Sequence, residues 1–344
     1  MANPTKSLVF IVFFHLFIQI STAANYNVIS FGAKPDGKRT RPNHFLRRGR
    51  LHVAPPHDPP STSLREVDGV SFVGGTIDGK GTAYWACKNS AKNCPPGARS
   101  ITFNWANNII LSGLTSINSQ QTHVVINSCN NVVVKNVKIM APDQSPNTDG
   151  IHVQSSTNVT ITGSTIKTGD DCISIGDGTK NLFMSDIKCG PGHGVSIGSL
   201  GKEANENGVE NVTLINAVFT KSDNGVRIKT WPTPSNGFVR HVIFQNIVMI
   251  NVKNPILIDQ NYCPNHQSCS LQSSGVKIND VTYKSIEGTS ATSEAVTFDC
   301  SSSSPCSDIK LEDIKLTYKN KTTTSSCKNI GGSSIGLVVP ETCF

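Results

Sequence analysis

Four short stretches in the middle of the chain carry residues suited to acid–base chemistry on a polar substrate. Ser145-Pro-Asn-Thr-Asp-Gly-Ile-His contains Asn147 and Asp149. Thr168-Gly-Asp-Asp-Cys-Ile-Ser-Ile contains Asp170 and Asp171, and Cys189-Gly-Pro-Gly-His-Gly contains His193. Gly225-Val-Arg-Ile-Lys-Thr-Trp contains Arg227 and Lys229. Cleaving a glycosidic bond needs one protonated carboxyl to donate to the leaving oxygen and one ionised carboxylate to activate water or attack directly. Crowding pushes the pKa of one acid up and keeps it protonated at working pH. The two cations suit a substrate that itself carries carboxylates, and arginine pairs with those bidentately. Each stretch also has a plainer meaning. Asp-Gly and Asn-Thr-Asp-Gly make turns, Gly-Asp-Asp is a possible calcium ligand, and a histidine among glycines is often a loop residue.

The spacing ties the stretches together. Asp149 to Asp170 is 21 residues and Asp170 to His193 is 23. A wider phrase recurs at similar intervals: a polar residue, often Asn, followed by alternating apolar positions. It begins at Asn108, Asn131, Asn158, Asn181, Asn211, His241, Gly275 and Asp308, at steps of 23, 27, 23, 30, 30, 34 and 33 residues. Such periods mark a solenoid, whose short strands bury a continuous core only when stacked. The expected fold is all-β, a right-handed parallel β-helix, with an antiparallel sandwich as the structural rival. Neighbouring coils lie ~4.8 Å apart, so one coil's spacing stacks the acids on one face. Asp170 and Asp171 are adjacent, and neighbours in a regular strand face opposite ways. Both can serve only if the strand ends or bulges there.

The chain has 344 residues, with 16% charged and a formal charge of +7. Residues 38–66 hold seven of the Lys and Arg and two acids, so the basic excess is concentrated there. No basic stripe is interleaved with aromatics, which argues against nucleic acid. A polyanionic carbohydrate is the better partner. Residues 1–23 read as a secretory signal: Lys6, the apolar run Leu8 to Ile20, then Ser21-Thr-Ala. No later stretch suits a membrane span, so an exported, monomeric chain is expected, with a single domain over 24–344. Eleven cysteines fit an oxidising compartment. Close spacing suggests Cys87 with Cys94, Cys172 with Cys189, Cys263 with Cys269, Cys300 with Cys306 and Cys327 with Cys343, leaving Cys129 alone. A metal site is the alternative, but no C-x-x-C pair supports zinc. Glycosylation sequons begin at Asn158, Asn211 and Asn320.

The four stretches, in this order, resemble the signature of the polygalacturonases, glycoside hydrolase family 28. The similarity runs from about Asp68 to Phe344 and includes the opening Tyr26-Asn-Val-Ile-Ser-Phe-Gly-Ala. The resemblance implies a right-handed parallel β-helix that hydrolyses α-1,4-galacturonosyl bonds of pectin and polygalacturonate with inversion, without metal or cofactor. It implies Asp170 as general acid, Asp149 and Asp171 as the pair activating water, and His193 as support for the acid. It implies Arg227 and Lys229 as grips on the substrate carboxylate, Asn147 as a sugar contact and Tyr262 as a subsite residue. The wording around Asp149 to Leu200 is most like plant pollen-type enzymes, implying exo action in the cell wall and release of single galacturonic acid units.

Residues 38–66 depart from that family. Lys38-Arg-Thr-Arg-Pro-Asn-His, Arg47-Arg-Gly-Arg, Pro55-Pro and Pro59-Pro lack strand alternation. The stretch reads as poorly ordered, and as the product of a splice or frame error or, alternatively, a functional basic linker. A pectate lyase, a rhamnogalacturonan hydrolase, an endo-acting polygalacturonase and an inactive wall protein keeping only the fold are the rival functions.

Overall fold

A computed structural model describes residues 24–26, 50–53, 62–90, 93–264 and 272–344. The expected leader, Cys269, and residues 38–49 and 54–61 lie outside them. The described chain is a parallel β-helix, with the right-handed sense usual for parallel crossovers. Each coil contributes strands to a 16-stranded and an 11-stranded sheet. Within the coil that holds the first acid, Ile151–Gln154 belongs to the smaller sheet and Thr157–Thr162 to the larger.

Alternation explains the stacking. Apolar residues at every second position face inward and meet the same position of the next coil. Ile109, Val132, Val159, Leu182 and Val212 form one such row through successive parallel pairings, each at most 1% exposed. Phe103, Ile126, Val153, Ile175 and Ile197 form another in the smaller sheet, all fully buried. A short strand gains little alone, but each buried side chain of this size contributes roughly 1.5–3 kcal/mol.

The recurring asparagines mark the corners. Asn108, Asn131, Asn158, Asn181 and Asn211 all have φ between 54° and 57°. Asn tolerates this left-handed region better than most residues. Their side chains bond in series, with Nδ2 of each donating to Oδ1 of the one before at 3.0–3.3 Å. Asn158 and Asn211, two of the sequons, sit exposed on this corner ladder. One unit of the expected repeat starts elsewhere. Asp280, not Gly275, stands opposite His241: its φ is 52°, and its carboxylate lies 2.6 Å from His241 Nδ1. Val276 to Ile278 do alternate, but Ile278 pairs with Val239, one phrase earlier in the strand.

Within the span 38–66, Arg50–Val53 pairs antiparallel with Thr62–Arg65 at the N-terminal edge of the smaller sheet. Thr62–Arg65 then enters the parallel stack, with Leu64 in the core. The helix Thr82–Ser90 buries Tyr84 and Trp85 and is tied by the Cys87–Cys94 disulfide. Cys172–Cys189, Cys300–Cys306 and Cys327–Cys343 are also bonded. Cys263 is disulfide-bonded as well. Cys129 is a buried free thiol. Among the described residues no helix is long and apolar enough to cross a membrane.

Candidate active site

The acids sit where turns enter the smaller sheet. Ile151, Ile173, Val195 and Val226 are register partners in successive coils. Asp149, Asp171, His193 and Asn224 each lie two residues before them and so share one column. The spacing argument had put Asp170 in that column. The register puts Asp171 there instead, with Asp170 one position earlier, because the strand has not yet begun. The irregular backbone lets both acids join one group beside His193, as the sequence required. Asp170 is pinned locally: its carbonyl accepts from His193 N–H at 2.9 Å and from the Thr168 hydroxyl at 3.2 Å. Two glycines make room. A Cβ at Gly192, whose φ is 145°, would stand 2.8 Å from the Asp170 carbonyl. One at Gly169 would stand 2.2 Å from the Ser145 carbonyl.

Arg227 and Lys229 alternate with Val226 and Ile228 on Asn224–Thr230, so both face outward beside the acids. Each meets Asp171: Arg227 Nη2 reaches Oδ1 at 2.8 Å and Lys229 Nζ reaches Oδ2 at 2.8 Å. The Ser196 hydroxyl gives the carboxylate a third bond, donating to Oδ1 at 2.8 Å, and accepts from Arg227 Nε at 3.0 Å. Burial alone would raise the Asp171 pKa, but Lys229 and Arg227 outweigh it and hold the group below its ordinary value. Asp149 is the opposite case. Burial first, then repulsion from Asp170 and Asp171, pushes it up to about 7 against only a Ser174 bond and the more distant Lys229. The crowding expected of the cluster thus falls on Asp149.

The Asp170 carboxylate is held by three neighbours. Its Oδ1 accepts from Asp171 N–H at 2.8 Å and faces His193 Nδ1 at 3.1 Å. Its Oδ2 accepts from Asn147 Nδ2 at 3.4 Å. The Asp170 bond raises the His193 pKa against burial. Tyr262 packs edge-on against Trp231, with centroids 5.6 Å apart, and its ring lies 5.1 Å from Lys229 Nζ. All eight residues singled out from the sequence therefore meet in one cluster of side chains. Ser174, Ser196, Asp223 and Trp231 join them without having been singled out. The first two were open to detection: they are the middle residues of Ile173-Ser-Ile and Val195-Ser-Ile, in register with His152 and Arg227.

Ligand atoms of Asp170, Asp171 and His193 lie within 4.8 Å of one another, the grouping a cation would need. The donor set does not fit one. Both Asp171 oxygens are already taken, and Arg227 and Lys229 stand where their charge repels a cation. Calcium, left open by the Gly-Asp-Asp stretch, is therefore not a ligand this site is built for.

A family model, glycosyl hydrolases family 28, matches residues 57–337. A polygalacturonase of Prunus persica is 54% identical over 282 residues, covering 82% of this chain and 72% of that protein. An exopolygalacturonase of Oenothera organensis is 43% identical, covering 82% and 79%. The endo-xylogalacturonan hydrolase of Aspergillus tubingensis shares the fold, with a TM-score of 0.70 at 24% identity and 80% and 79% coverage.

Proposed function

The chain belongs to glycosyl hydrolases family 28, and from that premise we propose a secreted polygalacturonase that removes single galacturonic acid units from the ends of polygalacturonate with inversion. The observation that carries this is the convergence of Asp149, Asp170 and Asp171 beside Arg227 and Lys229. Asp170 is the least enclosed member of the Asp170–Asp171 pair and donates to the glycosidic oxygen. Asp171, held ionised, and Asp149, once its proton has left, orient and deprotonate the attacking water. Protons in such a cluster belong to the group as a whole. Arg227 and Lys229 have donors to spare beyond those given to Asp171, and these pair with a substrate carboxylate. Asn147 and Tyr262 line the sugar path. Exo action is supported by relatives bearing that name, from Oenothera organensis and Platanus acerifolia. Local disulfides support an extracellular location, in the plant cell wall. The enzyme acts as a monomer.

Chromatography of the products from polygalacturonate tests this. Galacturonic acid alone is expected, with undiminished rate in a strong chelator and a weak rate on highly methyl-esterified pectin. A ladder of oligomers would make the enzyme endo-acting, and an unsaturated sugar would make it a lyase. No product at all would mean a wall protein that has kept only the fold.

A further inference from the structure

His193 has a carboxylate at each ring nitrogen. Nδ1 faces Asp170 at 3.1 Å, and Nε2 faces Asp223 Oδ2 at 3.8 Å, an ion-pair separation. The other oxygen of Asp223 is 2.5 Å from Lys253 Nζ. The three residues occupy corresponding turns of three consecutive coils, and the backbone fixes that order. Asp223 N–H donates to the Gly192 carbonyl at 2.8 Å, and Lys253 N–H donates to the Ser222 carbonyl at 3.1 Å. Asn254 N–H donates to the Asp223 carbonyl at 2.9 Å. Asn224 Nδ2 holds the His193 carbonyl at 3.0 Å, and Asn254 Nδ2 reaches Asn224 Oδ1 at 3.1 Å. Asp223 is therefore aimed at the ring by stacked coils.

We propose that Asp223, tethered by Lys253, is a positioning residue that holds His193 doubly protonated and directed at Asp170. The proposal rests on the hydrolase reading above. A neutral imidazole has one N–H and one lone pair, so in this setting its lone pair would point at a carboxylate. The imidazolium donates from Nδ1 to Asp170 and turns its second N–H toward Asp223 at ion-pair distance. The charged groups around the ring are Asp170, Asp171 and Asp223 against Arg227, with Lys253 behind Asp223. The negative charges prevail whenever Asp170 carries its own.

The consequence reaches the reacting proton. Oδ1 of Asp170 already receives the Asp171 N–H and the His193 Nδ1–H, so it has no place for a third hydrogen. The acid's proton must then sit on Oδ2, the oxygen beside Asn147. When that O–H bond breaks and the proton passes to the glycosidic oxygen, the new carboxylate is left facing a cation. Asp223 touches neither substrate nor the reacting atoms; it acts through the ring.

Asp223→Asn tests this, since it keeps the shape and removes the charge. Its side chain is 45% exposed, and its backbone bonds are untouched. Titration of ring-labelled histidine by NMR, with the His193 signal identified from a His193→Gln protein, should show the midpoint falling by about half a pH unit, the size of one exposed ion pair. The alkaline limb of kcat should move to lower pH by the same amount with KM little changed, and Asp223→Glu should restore most of both. An unchanged His193 midpoint in Asp223→Asn would overturn the proposal, as would a midpoint that falls while the alkaline limb stays in place. If Asp223→Asn does not fold, a His193 midpoint in Asp223→Glu equal to that in Asp223→Ala would overturn it too. The NMR measurement needs no turnover. Its failure is thus distinct from failure of the hydrolase reading, which a wild-type protein without product would signal.

Discussion

Asp149 and Asp171 carry the same functional group at the same position of adjacent coils, yet their surroundings set opposite charge states. Asp171 has two cations in contact and stays ionised. Asp149 has burial and two acidic neighbours, which raise it from 3.8 to about 7. The native state therefore holds this proton more tightly than the unfolded chain does between about pH 4 and pH 7. By linkage, the stability tied to Asp149 is complete below about pH 4 and declines as pH rises to about 7. Asp149→Asn keeps the shape and deletes that decline. The variant should melt at the wild-type temperature near pH 4 and about 3 °C higher at pH 7, a gain of ~2 kcal/mol in a chain this long. Hydrolysis should fall roughly 10²-fold or more. His123, buried and held to about 3, loosens both proteins alike in acid, so the difference between them isolates Asp149. Scanning fluorimetry across this range is the measurement; equal melting temperatures at pH 7 would refute the assignment. The sequence revealed the acids but not this division of labour, because charge state depends on which side chains lie across the coil. It also favoured Asp170 over Asp171 for the stacked column, since counting residues cannot locate where a strand begins.

At the scale of the coil, the asparagine corner is the repeating device, and it was legible because its chemistry is local. A residue type that tolerates positive φ and bonds to its own copy one coil away recurs with the period of the coil. The reading failed at Gly275, where alternating apolar residues imitate the phrase without the corner; Asp280 supplies the corner and its carboxylate bonds to His241. Asn181 sits mid-ladder, donating to Asn158 at 3.1 Å and accepting from Asn211 at 3.0 Å, with φ of 55°. Asn181→Ala loses both exposed bonds, about 0.5 kcal/mol each, and leaves a Cβ in the left-handed region without the polar side chain that lets Asn tolerate it, about 1 kcal/mol more. Asn181→Gly loses the bonds but keeps the conformation. Urea unfolding should rank wild type above Gly and Gly above Ala, with Ala lower than wild type by about 2 kcal/mol. Alanine equal to or better than glycine would show that the corner conformation adds nothing.

A solenoid differs from a closed domain in having two ends, and periodicity says little about either, because the end strands have a neighbour on one side only. At the N-terminal edge the answer is an antiparallel partner, Arg50–Val53, which no parallel repeat would suggest. At the other end Ile330–Val339 lies on Cys306–Tyr318. Ile335 is 60% and Leu337 is 61% exposed there, and among the described residues no strand pairs with the outer edge. An exposed apolar edge strand is a template for association between copies. The nearby Asp313, which accepts from Leu337 N–H at 3.3 Å, would favour a cation beside it. Ile335→Lys with Leu337→Lys should therefore suppress association, both by removing apolar surface and by adding to the existing charge of +7. In a repeat fold each coil touches only its neighbours. Asp149 to Lys229 lie several coils away, so kcat and KM should remain at wild-type values. Light scattering during slow heating should show aggregation beginning at a higher temperature or protein concentration than for wild type. Scattering that is unchanged would show that this edge does not drive association, and a fall in kcat would show that the end of the solenoid is coupled to the catalytic coils.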